Sequence, residues 1–201
     1  MIRLLLADDQ ELIRSALAAL LSLEADFEVV ASVGRGDEVV AAALASQPDI
    51  ALLDIDMPGI DGLAAAGVLA QEMPHCRSLI LTTFGRPGYL RRAMESGAYG
   101  FVVKDAPAEQ LAEAIRRIVA GERVVDPALA AATLASGVSP LTARERDVLV
   151  AARPGATVAE IAQKLFLSEG TVRNYLSAAI TKTSARNRTE AIRTADERGW
   201  L

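Results

Sequence analysis

Hydrophobic positions along the first 120 residues follow two rhythms. Short, nearly continuous apolar runs at 2–7, 28–32, 50–53, 78–82 and 100–103 have the length of strands. Between them Leu12, Ile13, Ala16, Leu17, Leu20 and Leu21 recur at helical spacing, as do Leu111, Ala114, Ile115 and Ile118. The alanine-rich stretches separating the other runs also favour helix. Regular alternation of strand and helix implies a parallel sheet covered on both faces. Residues 1–120 therefore read as a five-stranded, doubly wound α/β domain.

At Gly121 the rhythm stops. Residues 121–138, with their glycines, proline and weakly helical alanines, read as a linker. Beyond it no strand pattern returns. Three helix-opening signatures of the Ser/Thr/Asn-x-x-Glu type appear instead: Thr142 with Glu145, Thr157 with Glu160, and Asn187 with Glu190. Ser168 marks a fourth start, with Gly170 expected to let helices approach closely. Residues 139–201 thus read as a small all-α domain.

The 201 residues suffice for two such domains, and 51% hydrophobic against 23% charged residues argues against disorder. No apolar run approaches the ~18–20 residues that span a bilayer, so the expected setting is cytoplasmic, with no membrane partner. One cysteine, Cys76, and one histidine, His75, exclude an internal disulfide and the usual structural zinc sites. The adjacent pair reads as an unremarkable surface loop before the fourth strand. Charge is unevenly spread: residues 1–120 carry a net −7, residues 139–201 a net +3. Between 164 and 193, Lys164, Arg173, Lys182, Arg186, Arg188 and Arg193 face only Glu169 and Glu190, a surplus suited to a phosphate backbone.

In doubly wound sheets ligands sit beyond the carboxyl ends of the strands. There the first strand ends in Asp8 and Asp9, the third in Asp54, the fourth in Thr82 and Thr83, and the fifth in Lys104. Carboxylates gathered so closely raise one another's pKa or hold a cation, and Mg2+ suits an all-oxygen set. With Mg2+ and Lys104 cancelling charge, one carboxylate can attack a phosphoryl group while metal, ammonium and a Thr hydroxyl hold its oxygens. Asp54 is the candidate nucleophile.

The segments LLADDQ, LLDIDMPGIDG, LILTTF and GFVVKD, in this order and spacing, resemble the receiver domain of bacterial response regulators over residues 1–120. The resemblance makes Asp54 the phospho-acceptor and assigns Mg2+ to Asp8, Asp9, Asp54 and the backbone carbonyl of Asp56. It also makes Thr82 the switch hydroxyl, Lys104 the phosphoryl contact and Phe101 the switch aromatic, here without the hydroxyl of the tyrosine often found there. It further implies a cis bond between Lys104 and Asp105, at a cost of ~3–4 kcal/mol. Gly85, Pro87 and Gly88 soften the segment after Thr82, where a switch must move.

In the basic region, IAQKLFLSEGTVRNYLSAAI reads as helix, short turn with Gly170, and helix. Ile161, Ala162, Leu165, Val172, Leu176 and Ile180 form an apolar stripe that leaves Arg173, Asn174, Ser177, Thr181 and Lys182 outside. The N–H groups of Thr171 and Val172 are expected to favour a phosphate at the helix start. The longer run from Leu141 to Thr183 resembles the four-helix DNA-binding domain of LuxR/NarL-type regulators. That resemblance turns Arg173, Asn174 and Ser177 toward the major groove and gives Lys182 and Arg188 phosphate contacts. Thr183 stands where the family has an apolar residue, so its hydroxyl either weakens packing or bonds back to the preceding turn. Trp200 is expected to pack within its own domain.

Together the two matches identify the chain as similar to NarL/FixJ two-component response regulators, closest in look to the DesR-like subgroup. They imply a sensor histidine kinase and double-stranded DNA as partners and a homodimer when phosphorylated. A Mg2+-dependent phosphohydrolase is the rival, because Asp54-Ile55-Asp56 has the D-x-D form. Such enzymes place D-x-D on the first strand, whereas here it follows the third, so no turnover enzyme is expected. A second rival is a DNA-binding protein indifferent to phosphate.

Overall fold

The computed structural model describes residues 1–83, 87–135 and 139–201. They form two compact units, one built mainly on residues 1–130 and the other mainly on 131–201. In the first, strands β1 (Ile2–Ala7), β2 (Phe27–Val33), β3 (Ile50–Asp54), β4 (Arg77–Thr82) and β5 (Gly100–Val103) alternate with helices α1 (Glu11–Leu21), α2 (Val39–Ser46), α3 (Gly62–Glu72), α4 (Pro87–Glu95) and α5 (Ala108–Val119). The strands pair in parallel in the order β2-β1-β3-β4-β5. Alternate side chains feed two cores. Leu4, Leu6, Leu52, Leu79 and Leu81 pack with Leu111, Ile115 and Ile118 of α5 and with Leu21 of α1. Leu5, Ala51, Leu53 and Ile80 turn to the opposite face, toward α2 and α3, where Val39, Ala65 and Leu69 are buried.

The sheet has one strand more than the apolar runs announce. Within the stretch read as a linker, Val124 and Val125 pair with Gly100 and Phe101 as β6 (Val124–Val125), and α6 (Pro127–Ala135) follows. Two valines carry no strand-length signal, and they join the sheet because the lower half of β5 offers an open edge. On α1 the six apolar positions form two adjacent rows. Leu21 is buried and Ile13 and Leu17 are partly covered, while Leu12, Ala16 and Leu20 face solvent, because one helix buries only one such row. Cys76 also departs from expectation: in the turn between α3 and β4 it is only 3% exposed, and burial pushes its thiol up to about 12, whereas neighbouring His75 is exposed.

The second unit contains α7 (Ala143–Ala152), α8 (Val158–Leu165), α9 (Glu169–Lys182) and α10 (Arg188–Glu197). Each opens where the sequence signatures lie. Thr142 and Thr157 make full capping boxes with Glu145 and Glu160. Asn187 caps Glu190 N–H, but Glu190 reaches back to Arg186 N–H instead of closing the box. The core gathers Val148, Leu149, Ile161, Val172, Leu176 and Ala195, and Trp200 packs into it with the Arg198 guanidinium 5.0 Å from its ring centre. Among the described residues no helix is long and apolar enough to cross a membrane.

Candidate functional site

The strand order reverses between β1 and β3, and the predicted acidic residues gather at that point. Asp8 and Asp9 leave the end of β1, and Asp54 is the last residue of β3. One carboxylate oxygen from each lies within 4.8 Å of the others. Lys104, just past β5, sends its Nζ to 2.7 Å from Asp8 Oδ2 and 2.9 Å from Asp54 Oδ1. Asp8, Asp54 and Thr82 are buried, while Asp9 and Asp56 are exposed. Thr82 pairs with Val103 in the sheet, and its carbonyl accepts the Lys104 N–H at 2.7 Å, which seats the lysine beside the strand end. Phe101, 1% exposed, lies two residues before Val103 on the same strand.

Burial holds the Asp54 carboxyl above its usual range; Lys104 pulls it down, and the like charge of Asp8 pushes it up. Burial alone would lower the Lys104 ammonium, but Asp8 and Asp54 outweigh it and keep it raised. Asp8 Oδ2 makes no hydrogen bond beyond the ion-pair contact with Lys104. A buried oxygen short of donors, beside two further carboxylates, fits a hard cation that keeps part of its water shell. Asp8, Asp9 and Asp54 are therefore suited to hold Mg2+.

Two features of this pocket differ from the expectation or were not foreseen. The Lys104–Asp105 bond is trans, since no cis peptide occurs among the described residues; Lys104 reaches both carboxylates without it. Arg14 of α1 donates to the Asp8 backbone carbonyl at 2.5 Å and packs against Gly34, bracing the turn that aims the acidic pair. Its place six residues after Asp8, about one turn into α1, was the available signal. Of the softening residues after Thr82, Gly85 lies outside the described residues.

In the basic unit the apolar stripe of α8 and α9 is buried or half-buried, and Arg173, Asn174, Ser177, Thr181 and Lys182 are exposed. Several of these cations have partners. Arg173 pairs with Glu169 at 2.5 Å, Arg188 donates to the Ala156 carbonyl at 2.7 Å, and Lys182 sets its Nζ 2.8 and 2.9 Å from the two oxygens of Glu145. The Lys182–Glu145 clasp was not legible, because 37 residues separate the partners. Thr171 N–H is taken by Ser168 Oγ as the cap and Val172 N–H by the Ser168 carbonyl as the first helical bond, so neither donor is held for a phosphate. Gly170 lies inside α9, and a side chain there would meet only Ser168 Oγ at 3.8 Å; it mediates no close helix approach. Thr183 is buried and bonds back to the Ala179 carbonyl at 2.8 Å.

A parallel sheet with a carboxylate-lysine pocket at its switch point, followed by a capped helix-turn-helix unit, defines a receiver joined to a DNA-binding module. Comparison with known proteins agrees: residues 4–116 match the response regulator receiver domain and residues 139–195 the bacterial regulatory proteins of the luxR family. The chain is 44% identical over 201 residues to the transcriptional regulatory protein DesR of Bacillus subtilis, covering all of both chains. It is 35% identical to the DNA-binding transcriptional activator DevR/DosR of Mycobacterium tuberculosis, covering 95% of this chain and 92% of that one. Among solved structures, the response regulator ChrA of a heme-sensing two-component system has a TM-score of 0.60 at 32% identity, covering 100% and 98% of the two chains. The chain belongs to the two-component response regulators that carry a LuxR-type DNA-binding domain, a family of transcription regulators rather than turnover enzymes.

Proposed function

We propose that Asp54 accepts a phosphoryl group from the phosphohistidine of a partner sensor kinase, and that this controls dimerisation and DNA binding in the cytoplasm. Residues 1–120 act as the receiver, 121–138 connect, and 139–201 bind DNA. The observation that carries this reading is the convergence of Asp8, Asp54 and Lys104 at one strand edge, with Lys104 Nζ 2.7 and 2.9 Å from the two carboxylates.

An Asp54 oxygen attacks phosphorus in line with the departing imidazole. The P–O bond forms, the P–N bond breaks, and its electron pair stays on the imidazole nitrogen. Lys104 releases a carboxylate contact to hold an oxygen of the transferred group, and the Thr82 hydroxyl donates to another. Asp8, Asp9, Asp54 and the Asp56 carbonyl would hold Mg2+, which when bound would supply positive charge against the phosphoryl oxygens. As Thr82 is drawn inward, Phe101 repacks and the receiver surface changes. Moving such an equilibrium from 1:99 to 99:1 requires about 5.5 kcal/mol, part of it from dimerisation. The exposed Leu12 and Leu20 of α1 offer a second copy an apolar surface. Two modules then read half-sites about one DNA turn apart. Arg173, Asn174 and Ser177 face the major groove, while Arg188 and Lys182 lie toward the phosphates.

The test is incubation with Mg2+ and acetyl phosphate followed by intact-mass and peptide-level measurement. A single phosphoryl adduct on Asp54, absent from Asp54→Asn, is expected. A folded wild type that takes up no phosphoryl group overturns the reading and favours phosphate-independent DNA binding.

A further inference from the structure

The turn between α8 and α9 contains a residue whose conformation and exposure oppose its chemistry. α8 ends in a Schellman closure: Leu167 N–H bonds to the Ala162 carbonyl at 2.9 Å, and Leu167 packs toward the core. The closure requires a left-handed residue at position 166, a place where glycine or asparagine is at ease. This chain puts Phe166 there, at φ 55° and ψ 45°. Its ring is 95% exposed, so the left-handed backbone is not offset by burial within the protein. An isolated exposed apolar residue is ordinary. An exposed aromatic forced into a left-handed turn, two residues before the recognition helix is capped by Ser168, is not.

We infer that Phe166 is a DNA-contacting residue, its ring packing against apolar faces of the duplex at the major-groove edge, either deoxyribose or a thymine methyl. The inference rests on the DNA-binding reading above. It is supported by the surroundings: Lys164, Ser168, Arg173, Asn174 and Ser177 are all exposed around the same turn and helix, a polar and basic surface that admits phosphates and base edges but contains no second large apolar group. In a helix-turn-helix the start of the second helix enters the groove and the first helix crosses the backbone, which places the connecting turn at the groove's rim. Phenylalanine is among the side chains that meet thymine methyls there. The backbone conformation also fixes the ring's exit from the turn, so little freedom is lost on docking.

The test uses the full-length phosphorylated protein and a duplex enriched by it from a random-sequence pool, with affinity measured by fluorescence anisotropy across a range of salt. If about a third of the 150–250 Å² that a phenylalanine can bury is covered on DNA, Phe166→Ala weakens binding about tenfold. The dependence of log affinity on log salt stays as in wild type, because no counterion-releasing contact is lost. Phe166→Gly weakens binding equally while melting at the same or a higher temperature, since glycine suits the left-handed position. That combination separates a lost contact from a folding defect. Phe166 variants that bind like wild type, while Asn174→Ala weakens binding, overturn the inference and leave the DNA-binding reading intact. A salt slope reduced by about one contact also overturns it, because the lost partner would then be a phosphate. Failure of the wild-type protein to enrich any duplex overturns both.

Discussion

Each unit sets a single lysine against buried acid, and the two sites behave in opposite ways. Asp54 meets Lys104 at 2.9 Å, and Glu145 meets Lys182 at 2.8 and 2.9 Å; each acid is 5% exposed. Yet the Asp54 carboxyl is held above its usual range and that of Glu145 below it. The difference lies in the remaining neighbours. Asp54 shares its lysine with Asp8, so one cation is divided between two acids. Burial alone would raise Glu145 as well, but it has Lys182 to itself and also receives the Thr142 N–H at 2.7 Å. A satisfied carboxylate holds α7 to α9. An under-satisfied one suits a cation and, on the proposed function, a phosphoryl group, so the contrast would separate a clasp from a reactive site.

The largest expected effect comes from removing each lysine in turn. Lys104→Ala leaves the acidic cluster without its ammonium partner and, on the proposed function, removes a group that holds the phosphoryl oxygens. The rate of adduct formation from acetyl phosphate, followed by intact mass, is expected to fall about 10²–10³-fold, the usual loss for one electrostatic donor. Lys182→Ala should leave that rate unchanged. Equal rates in Lys104→Ala and wild type would make the first pair as structural as the second.

The acid of the clasp gives the next largest effect. Glu145→Ala removes half of a capping box and the Lys182 contact together, for an expected cost of about 2 kcal/mol. Trp200 is the chain's one tryptophan and sits in the same core, so the midpoint of its fluorescence transition in denaturant reports this unit. Glu145→Gln, which keeps the size and a carbonyl acceptor, should lose less. An unshifted Trp200 midpoint in Glu145→Ala would mean that the clasp contributes nothing.

What the sequence disclosed about these regions depends on the range of the signal. Strands β1 to β5 are nearly continuous apolar runs, and the caps at Thr142, Thr157, Ser168 and Asn187 act over three residues, so both were legible. The acidic pocket was legible because each member sits at the end of its own strand, and parallel topology brings strand ends together. Pairings without local periodicity were not. Lys182 reads as one more exposed cation until α7 is folded beside α9, and Arg14 as a surface residue until Asp8 turns its carbonyl toward it. The two rows of α1 show the same limit in packing: spacing reveals that a helix is apolar on a wide arc, but only the neighbouring α5 and sheet decide which row is covered.

The smallest effect concerns stability and depends on pH. An acid whose folded-state pKa is raised binds protons more readily in the native state, so its ionisation costs stability as pH rises above the unfolded value of about 3.9. Asparagine imitates the protonated form. Asp54→Asn should therefore melt higher than wild type at pH 7 without divalent cations, read as the midpoint of the receiver's calorimetric transition. The advantage should shrink as pH falls toward 4. Glu145→Gln runs the other way, because a lowered pKa contributes stability above about pH 4.3 that is lost as pH falls through the folded value. Its cost should be full at pH 7 and fade with acid. Mg2+ sharpens the contrast further: if the native acidic cluster holds it as proposed, it should stabilise wild type more than Asp54→Asn and narrow their gap. If Asp54→Asn instead melts lower at pH 7 without Mg2+, the Lys104 contact outweighs burial and Asp8 repulsion, and Asp54 belongs with Glu145 as a stabilising acid.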